Sequence, residues 1–368
     1  MEKVKINVKG AYGATNFGDD LLMVLFEKYF NEKFSNIDVN FEGMYDVAYP
    51  NKFLSNSKYK TLNFREDWLV YGGGTQFFSF KNEDRGFFSL LKKVILEPKR
   101  IVNKIKFIIN NNSKKEIFVP NHTAFLGFGL GPFYDNKLKI EQVKKQLKNA
   151  DFIGLRDEVS VNYTKEWGIK SFFGADIAFS SLFSYKFKVK NVDNVKFKKK
   201  KIGIVVRDWV WEDSGRAYYE PIMKLYKEKN PNFDFQFIVY APFKDPEWME
   251  KLEDEDFLYW DPNKYSIEDF LDVLNSFDGF ISSRFHGAIV GALLGKPVIA
   301  IEIEPKLRIL TQDIKEVMLW EKPFSLDKLK NCLNRLDYDV NYSESLELLR
   351  KRADFGLDEF IKLFNENR

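Results

Sequence analysis

Ser283-Arg284-Phe285-His286-Gly287 sets a guanidinium beside one of only two histidines in a chain of 368 residues. Arginine is a permanent cation with a planar fork of donors, and an imidazole, with an ordinary pKa of about 6.5, exchanges a proton near neutrality. The pair therefore describes an anion site with a proton donor. A structural alternative stands beside it, in which the histidine is satisfied by its neighbours and the arginine binds carbonyls. The flanking sequence locates the pair. Ser266 opens a capping box closed by Asp269, and Ile267, Phe270, Leu271, Leu274 and Phe277 keep helical spacing. Gly279-Phe280-Ile281-Ser282 then reads as a buried strand, 287–294 as a helix stopped by Gly295, and Pro297-Val298-Ile299-Ala300-Ile301 as a second buried strand. Arg284 and His286 thus fall between a strand's carboxyl end and a helix's amino end. Free N–H groups and the helix dipole favour a carboxylate or phosphate there.

Other charged groups fall at similar places. Arg156-Asp157 ends one strand pattern and Arg207-Asp208 another, while Glu302, Glu304, Lys306 and Arg308 follow the last. Each set has a local explanation in ion pairing. Several cations on one rim with a single histidine nevertheless suit a compact, doubly charged anion bearing carboxylate and phosphate. Three glycine turns share that rim: the loop containing Gly10, Gly13 and Gly18, the run Gly72-Gly73-Gly74-Thr75, and Gly127-Phe128-Gly129-Leu130-Gly131-Pro132. The first lacks the G-x-G-x-x-G spacing, and the chain has no P-loop. Asn16, Asp19 and Asp20 offer polar contacts or a helix cap, and capping accounts for one acid, taken as Asp19. His122 reads as structural.

The elements that must position these residues alternate. Val4-Lys5-Ile6-Asn7-Val8 is a strand running through the glycine loop into an apolar helix, and further strands are expected at 39–44, 68–71, 124–128 and 152–155. The pattern repeats with a strand at 201–206, a helix near 218–229 and a strand at 235–240. The chain also exceeds the length at which single cores stop growing. These features predict an α/β protein with two Rossmann-like parallel-sheet domains facing a cleft: residues 1–185, a lysine-rich linker at 186–200, residues 201–323, and a helical segment 324–368 that returns toward the first domain.

Composition narrows the class. Hydrophobic residues make up 45% and phenylalanine alone supplies 37 residues, enough for large packed cores rather than disorder. One cysteine and two separated histidines leave no disulfide framework and no Cys/His metal site. A reducing, cytoplasmic compartment is expected, since no run is long enough to span a membrane and no signal peptide opens the chain. The net charge of +3 does not point to nucleic acid, although positive charge clusters at 92–115 and 186–201. A solvated face explains those clusters, with contact to the inner face of an anionic membrane or an acidic glycan as the alternative.

The ordered set Gly10-x-Tyr12-Gly13-x-x-Asn16-x-Gly18-Asp19, Gly72-Gly73-Gly74, Gly127-x-Gly129-x-Gly131-Pro132, Arg156-Asp157-x-x-Ser160, Gly174-Ala175-Asp176, Ser283-Arg284-Phe285-His286 and 297–306 resembles the polysaccharide pyruvyl transferases. That resemblance implies a GT-B-like fold and ketal formation on a sugar from phosphoenolpyruvate, a co-substrate that needs no cofactor and no metal. It implies His286 as general acid, with Arg284, Arg156, Arg207 and Lys306 on the donor's charges. Asn16, Asp19, Gly73, Gly74 and Gly129 are carried over as substrate-binding positions, with Asp19 or Asp176 as a base for a sugar hydroxyl. The acceptor would be a cell-surface glycan or a lipid-linked precursor. Two departures stand out: the family commonly has leucine where this chain has Phe285, and glutamate where it has Asp20. The basic segment 77–121 carries little family pattern and is assigned to acceptor or partner specificity. The rival readings are a GT-B-like glycosyltransferase using a nucleotide sugar and a non-catalytic glycan or membrane binder.

Overall fold

The computed structural model describes residues 3–45, 47–60, 67–79, 120–187, 199–211 and 213–367. Most of the basic segment 77–121, including all of 92–115, and most of the linker 186–200 lie outside the described residues.

Among the described residues the strands form two sheets. The first comprises β1 (Val4–Lys9), β2 (Ile37–Glu42), β3 (Lys58–Tyr59), β4 (Trp68–Gly72), β5 (Thr75–Phe77), β6 (His122–Leu130), β7 (Phe152–Leu155) and β8 (Phe172–Phe173), ordered β3-β2-β1-β4-β6-β7-β8 with β5 paired to β6. The second comprises β9 (Lys200–Val206), β10 (Phe233–Val239), β11 (Phe257–Tyr259), β12 (Gly279–Ser282), β13 (Val298–Ile301) and β14 (Met318–Trp320), ordered β11-β10-β9-β12-β13-β14. All of these pairings are parallel. The central strands explain why: β12 and β13 are buried at every position, as expected when helices cover both faces of a parallel sheet. In each sheet the order reverses beside its first strand, between β1 and β4 and between β9 and β12, and such reversals open crevices at the carboxyl ends.

The two crevices meet at the helix Phe17–Lys33. Its first residue inserts an aromatic ring among Tyr240, Trp260 and Phe270 of the second unit, with centroids 5.1, 5.1 and 4.7 Å away. The backbone N–H of Phe17 donates to the Tyr240 carbonyl at 3.0 Å. Phe17 and the three rings are fully or almost fully buried, and such a phenylalanine contributes about 1.5–3 kcal/mol. Beyond position 324 the chain divides. The helix Leu326–Asn334 packs on the helix Tyr219–Lys227 of the second unit, whereas only the helix Ser343–Glu366 returns to β6, β7 and β8. Phe360 and Phe364 of that last helix bury their rings against Trp68 and Phe34.

Candidate active site

His286 is the second residue of the helix Phe285–Leu293, whose N-cap is Arg284. Gly287 lets this helix start hard against the sheet, because a Cβ there would lie 2.4 Å from Ser282 Oγ. The imidazole faces the first unit. A Cβ on Gly18 would stand 2.4 Å from His286 Nδ1, so only glycine allows the amino end of Phe17–Lys33 to close on the ring. On the other side Nε2 lies 3.5 Å from Asp176 Oδ2, long for a hydrogen bond, and it has no other partner while buried. Asp176 is itself fixed, accepting from Ala178 N–H and from Arg156 Nη1, each at 3.1 Å. Burial alone would raise its carboxyl, but His286, the Arg156 charge and the Ala178 N–H together hold it below the ordinary carboxylate range.

Four more cations surround this pair, and their exposures divide them. Arg156 and Arg284 have side chains only 3% and 8% exposed, against 23% for Arg207 and 27% for Lys306. Arg156 donates to Thr75 Oγ1 at 2.7 Å and lies 4.4 Å over the Phe285 ring. Gly129 makes room for it, since a Cβ there would sit 2.8 Å from its Nε. Arg284 donates to Asp245 and to the Val206 carbonyl, and Asp245 also accepts from the Asp208 N–H at 3.0 Å. Its guanidinium therefore holds protein groups together at the end of β9.

Arg207 and Lys306 share Glu304, Arg207 through a direct donor contact and Lys306 at 2.9 Å. Arg207 also lies 4.6 Å over the Trp209 ring, and Lys306 lies 5.8 Å over Phe285. Burial would raise Glu304, but Arg207, Lys306 and Arg284 keep it low and charged. For Lys306, burial outweighs the attraction of Glu304, and with repulsion from Arg207 and Arg156 it brings the ammonium down to about 8. The result is a partly open cationic pair bridged by one carboxylate, which suits exchange of that carboxylate for an anionic ligand.

The remaining expected residues fall in different places. Asn16 makes no cap with its side chain; it donates to Asp19 Oδ2 at 2.6 Å, and Lys244 Nζ lies 3.6 Å from the same oxygen. Asp19 is thus held by side chains, rather than acting as the helix cap. Asp20 goes elsewhere, accepting from Trp260 Nε1 at 2.8 Å and Tyr49 Oη at 3.0 Å. Gly73 and Gly74 both have positive φ, 67° and 71°, and a Cβ on Gly74 would meet no protein atom within 4 Å. Gly10 and Gly72, read as part of a ligand-facing rim, instead seat Tyr12, whose hydroxyl donates to the Gly72 carbonyl at 2.9 Å. His122 is remote, stacked on Trp68 at the amino end of β6 and 3.2 Å from Asp151. Arg308 pairs with Glu302 and Glu321 on an exposed face. Two contributors went unassigned in the sequence: Asp245, which has no local signature, and Thr75, whose place after three glycines was the available signal. A cavity of about 490 Å³ lined by Lys148, Asp151, Lys170 and Lys362 opens near the amino ends of β7 and β8, on the His122 side of the sheet and lined by none of His286, Arg156, Arg207, Arg284 and Lys306.

Against known proteins, the family model for polysaccharide pyruvyl transferase matches residues 16–305, well over half the chain. No curated protein gives a match. Solved structures share the architecture. A UDP-N-acetylglucosamine 2-epimerase from Rickettsia bellii aligns over 99% of this chain and 97% of its own, with a TM-score of 0.58 and 11% identity. The S. aureus MnaA-UDP co-structure covers 98% and 95%, with a TM-score of 0.56 and 10% identity. Anabaena Alr3699/HepE in complex with UDP and glucose covers 99% and 100%, with a TM-score of 0.53 and 10% identity. The likeness is one of fold: two parallel-sheet units in a GT-B-like arrangement with a helical carboxyl-terminal segment.

Proposed function

We propose that this chain, which belongs to the polysaccharide pyruvyl transferase family, moves the pyruvyl group of phosphoenolpyruvate onto two hydroxyls of a sugar in a bacterial-type surface polysaccharide or its precursor. The observation that carries the reading is His286, enclosed by Gly18 and Asp176 of the first unit, with Lys306 over the adjacent Phe285 ring and sharing Glu304 with Arg207. Protonated His286 gives its proton to the methylene carbon of the donor, leaving an oxocarbenium-like centre. One sugar hydroxyl attacks that centre and loses its proton, phosphate departs, and the second hydroxyl closes the ketal. Arg207 and Lys306 receive the donor's carboxylate and phosphate as Glu304 yields its place.

The buried arginines act at one remove in this reading. Arg156 fixes Asp176, whose carboxylate lies 3.5 Å from His286 Nε2 and orients the ring. Arg284 ties Asp245 to the end of β9, which carries Arg207. The test is direct. Phosphoenolpyruvate should raise the melting temperature of the purified protein, nucleotide sugars should not, and His286→Ala should abolish phosphate release with an acceptor while remaining folded. Stabilisation by nucleotide sugars alone, or full transfer by folded His286→Ala, would overturn the reading.

A further inference from the structure

An aromatic patch stands at the mouth of the same cleft. Tyr45, after β2, and Phe243, after β10, approach edge to face with centroids 5.6 Å apart and planes at 79°. They come from opposite sheets, yet both are exposed, Phe243 at 68% and Tyr45 at 39%, and Met44 beside them is 61% exposed. Large rings ordinarily gain stability from burial, and exposed apolar patches mark contact sites.

Their exposure is built rather than incidental. Met44 N–H donates to the Tyr12 carbonyl at 3.0 Å, and Tyr59 Oη donates to the Tyr45 carbonyl at 2.6 Å. Gly43 permits this seating, since a Cβ there would lie 2.3 Å from Tyr12 O. On the other side the Ala241 carbonyl accepts from the N–H groups of Lys244 and Asp245, at 2.8 and 3.0 Å, making the turn that presents Phe243. Asp245 anchors this turn through its buried pair with Arg284. Polar groups border the rings: Lys244 reaches Asp19, which takes the Asn16 amide, and Gly18 next to Asp19 is the residue against His286.

We infer that Tyr45 and Phe243 form the acceptor platform, on which one pyranose ring lies while Asn16, Asp19 and Lys244 engage its hydroxyls. A pyranose has an apolar C–H face and a polar rim, and the surface offers aromatic carbon flanked by an amide, a carboxylate and an ammonium. Asp19 adjoins the residue packed on His286, so hydroxyls directed there approach the proton donor.

The inference rests on the proposed transferase reading for its orientation, but it is tested separately. Saturation-transfer NMR on the full chain, with a panel of methyl hexosides and hexose disaccharides, should show contact to at least one sugar. Phe243→Ala and Tyr45→Ala should each lower that signal at least fivefold, Phe243→Trp should preserve it, and the melting-temperature rise with phosphoenolpyruvate should be equal in all four proteins. A wild-type chain that contacts none of the sugars, or a folded Phe243→Ala that contacts them as wild type does, overturns the platform. Adsorption to vesicles of phosphatidylcholine and phosphatidylglycerol that is lost in Phe243→Ala, without sugar contact, also overturns it. Sugar contact that depends on Phe243 without any response to phosphoenolpyruvate leaves the platform standing and removes the donor assignment instead.

Discussion

The two crevices divide the charges unequally. The first-sheet side supplies the carboxylates Asp19, Asp20 and Asp176 and one buried arginine, whereas the second-sheet side supplies Arg207, Lys244, Arg284, His286 and Lys306. Most second-side cations are matched on their own side, Arg284 by Asp245 and both Arg207 and Lys306 by Glu304. First-side carboxylates keep partners on their own side, Arg156, Asn16 and Tyr49, and in addition reach across, Asp176 to His286, Asp19 to Lys244 and Asp20 to Trp260. The difference separates two tasks. In the proposed reaction, the cations that share a carboxylate on one side exchange it for the substrate anion, while Asp176, reaching from the other side, aims His286 only when the units are together.

Breaking that borrowed contact should have the largest effect. Asp176→Asn keeps the shape but removes the charge that faces His286 and pairs with Arg156. We expect kcat for phosphoenolpyruvate-dependent transfer to fall about 10- to 100-fold, within the range of general acid catalysis, with little change in the donor's KM. A folded Asp176→Asn that keeps the wild-type kcat would separate Asp176 from the chemistry.

The second-side pair should answer to pH. Lys306, lowered to about 8 chiefly by burial, loses its charge as pH rises through that value, whereas Arg207 keeps its own. Donor binding should therefore weaken between pH 7 and pH 9, seen as a rise of about tenfold in the KM for phosphoenolpyruvate for one lost unit of binding charge. Lys306→Arg should flatten that rise, since arginine remains protonated. The same KM rise in Lys306→Arg would move the titrating group elsewhere.

How much of this was legible follows from range along the chain. The capping box of Ser266 and Asp269 and the strand Gly279–Ser282 are written in local spacing and form as read, whereas the helix read over 287–294 begins two residues earlier, at Phe285. The alternation that yields two parallel sheets also forms as read. The partners that give the site its charge state are distant: Arg284 and Asp245 are 39 residues apart, and Trp260 and Asp20 are 240 apart. No window holds both members, and Asp245 sits in a turn without a motif. The glycines at strand ends were visible, but their purpose was not, because Gly10 and Gly72 make space for Tyr12, Gly18 for His286 and Gly129 for Arg156. Arg284, prominent in the sequence, becomes a buried tie, and Phe285, the departure from the family's leucine, becomes the ring under Arg156 and Lys306.

Asp20 provides the smallest test and bears on how the units stay together. It is a first-side carboxylate that crosses to a neutral partner, Trp260, and burial raises it to about 7, with the Trp260 and Tyr49 donors opposing and Asp19 adding repulsion. Between the ordinary value of 3.8 and about 7 the folded chain holds a proton that the unfolded chain has released. Stability attributable to this group must then fall as pH rises through that window, and the full penalty applies above it. Asp20→Asn keeps an oxygen for Trp260 Nε1 and has no charge to desolvate. Its melting temperature relative to wild type should be about 1–3 °C higher at pH 8 than at pH 5, the size of shift that about 1–2 kcal/mol gives in a chain of this length. Equal differences at both pH values would mean that Asp20 is ionised throughout. The joint between the units would then hold a buried charge met by the Trp260 and Tyr49 donors and the Lys244 ammonium.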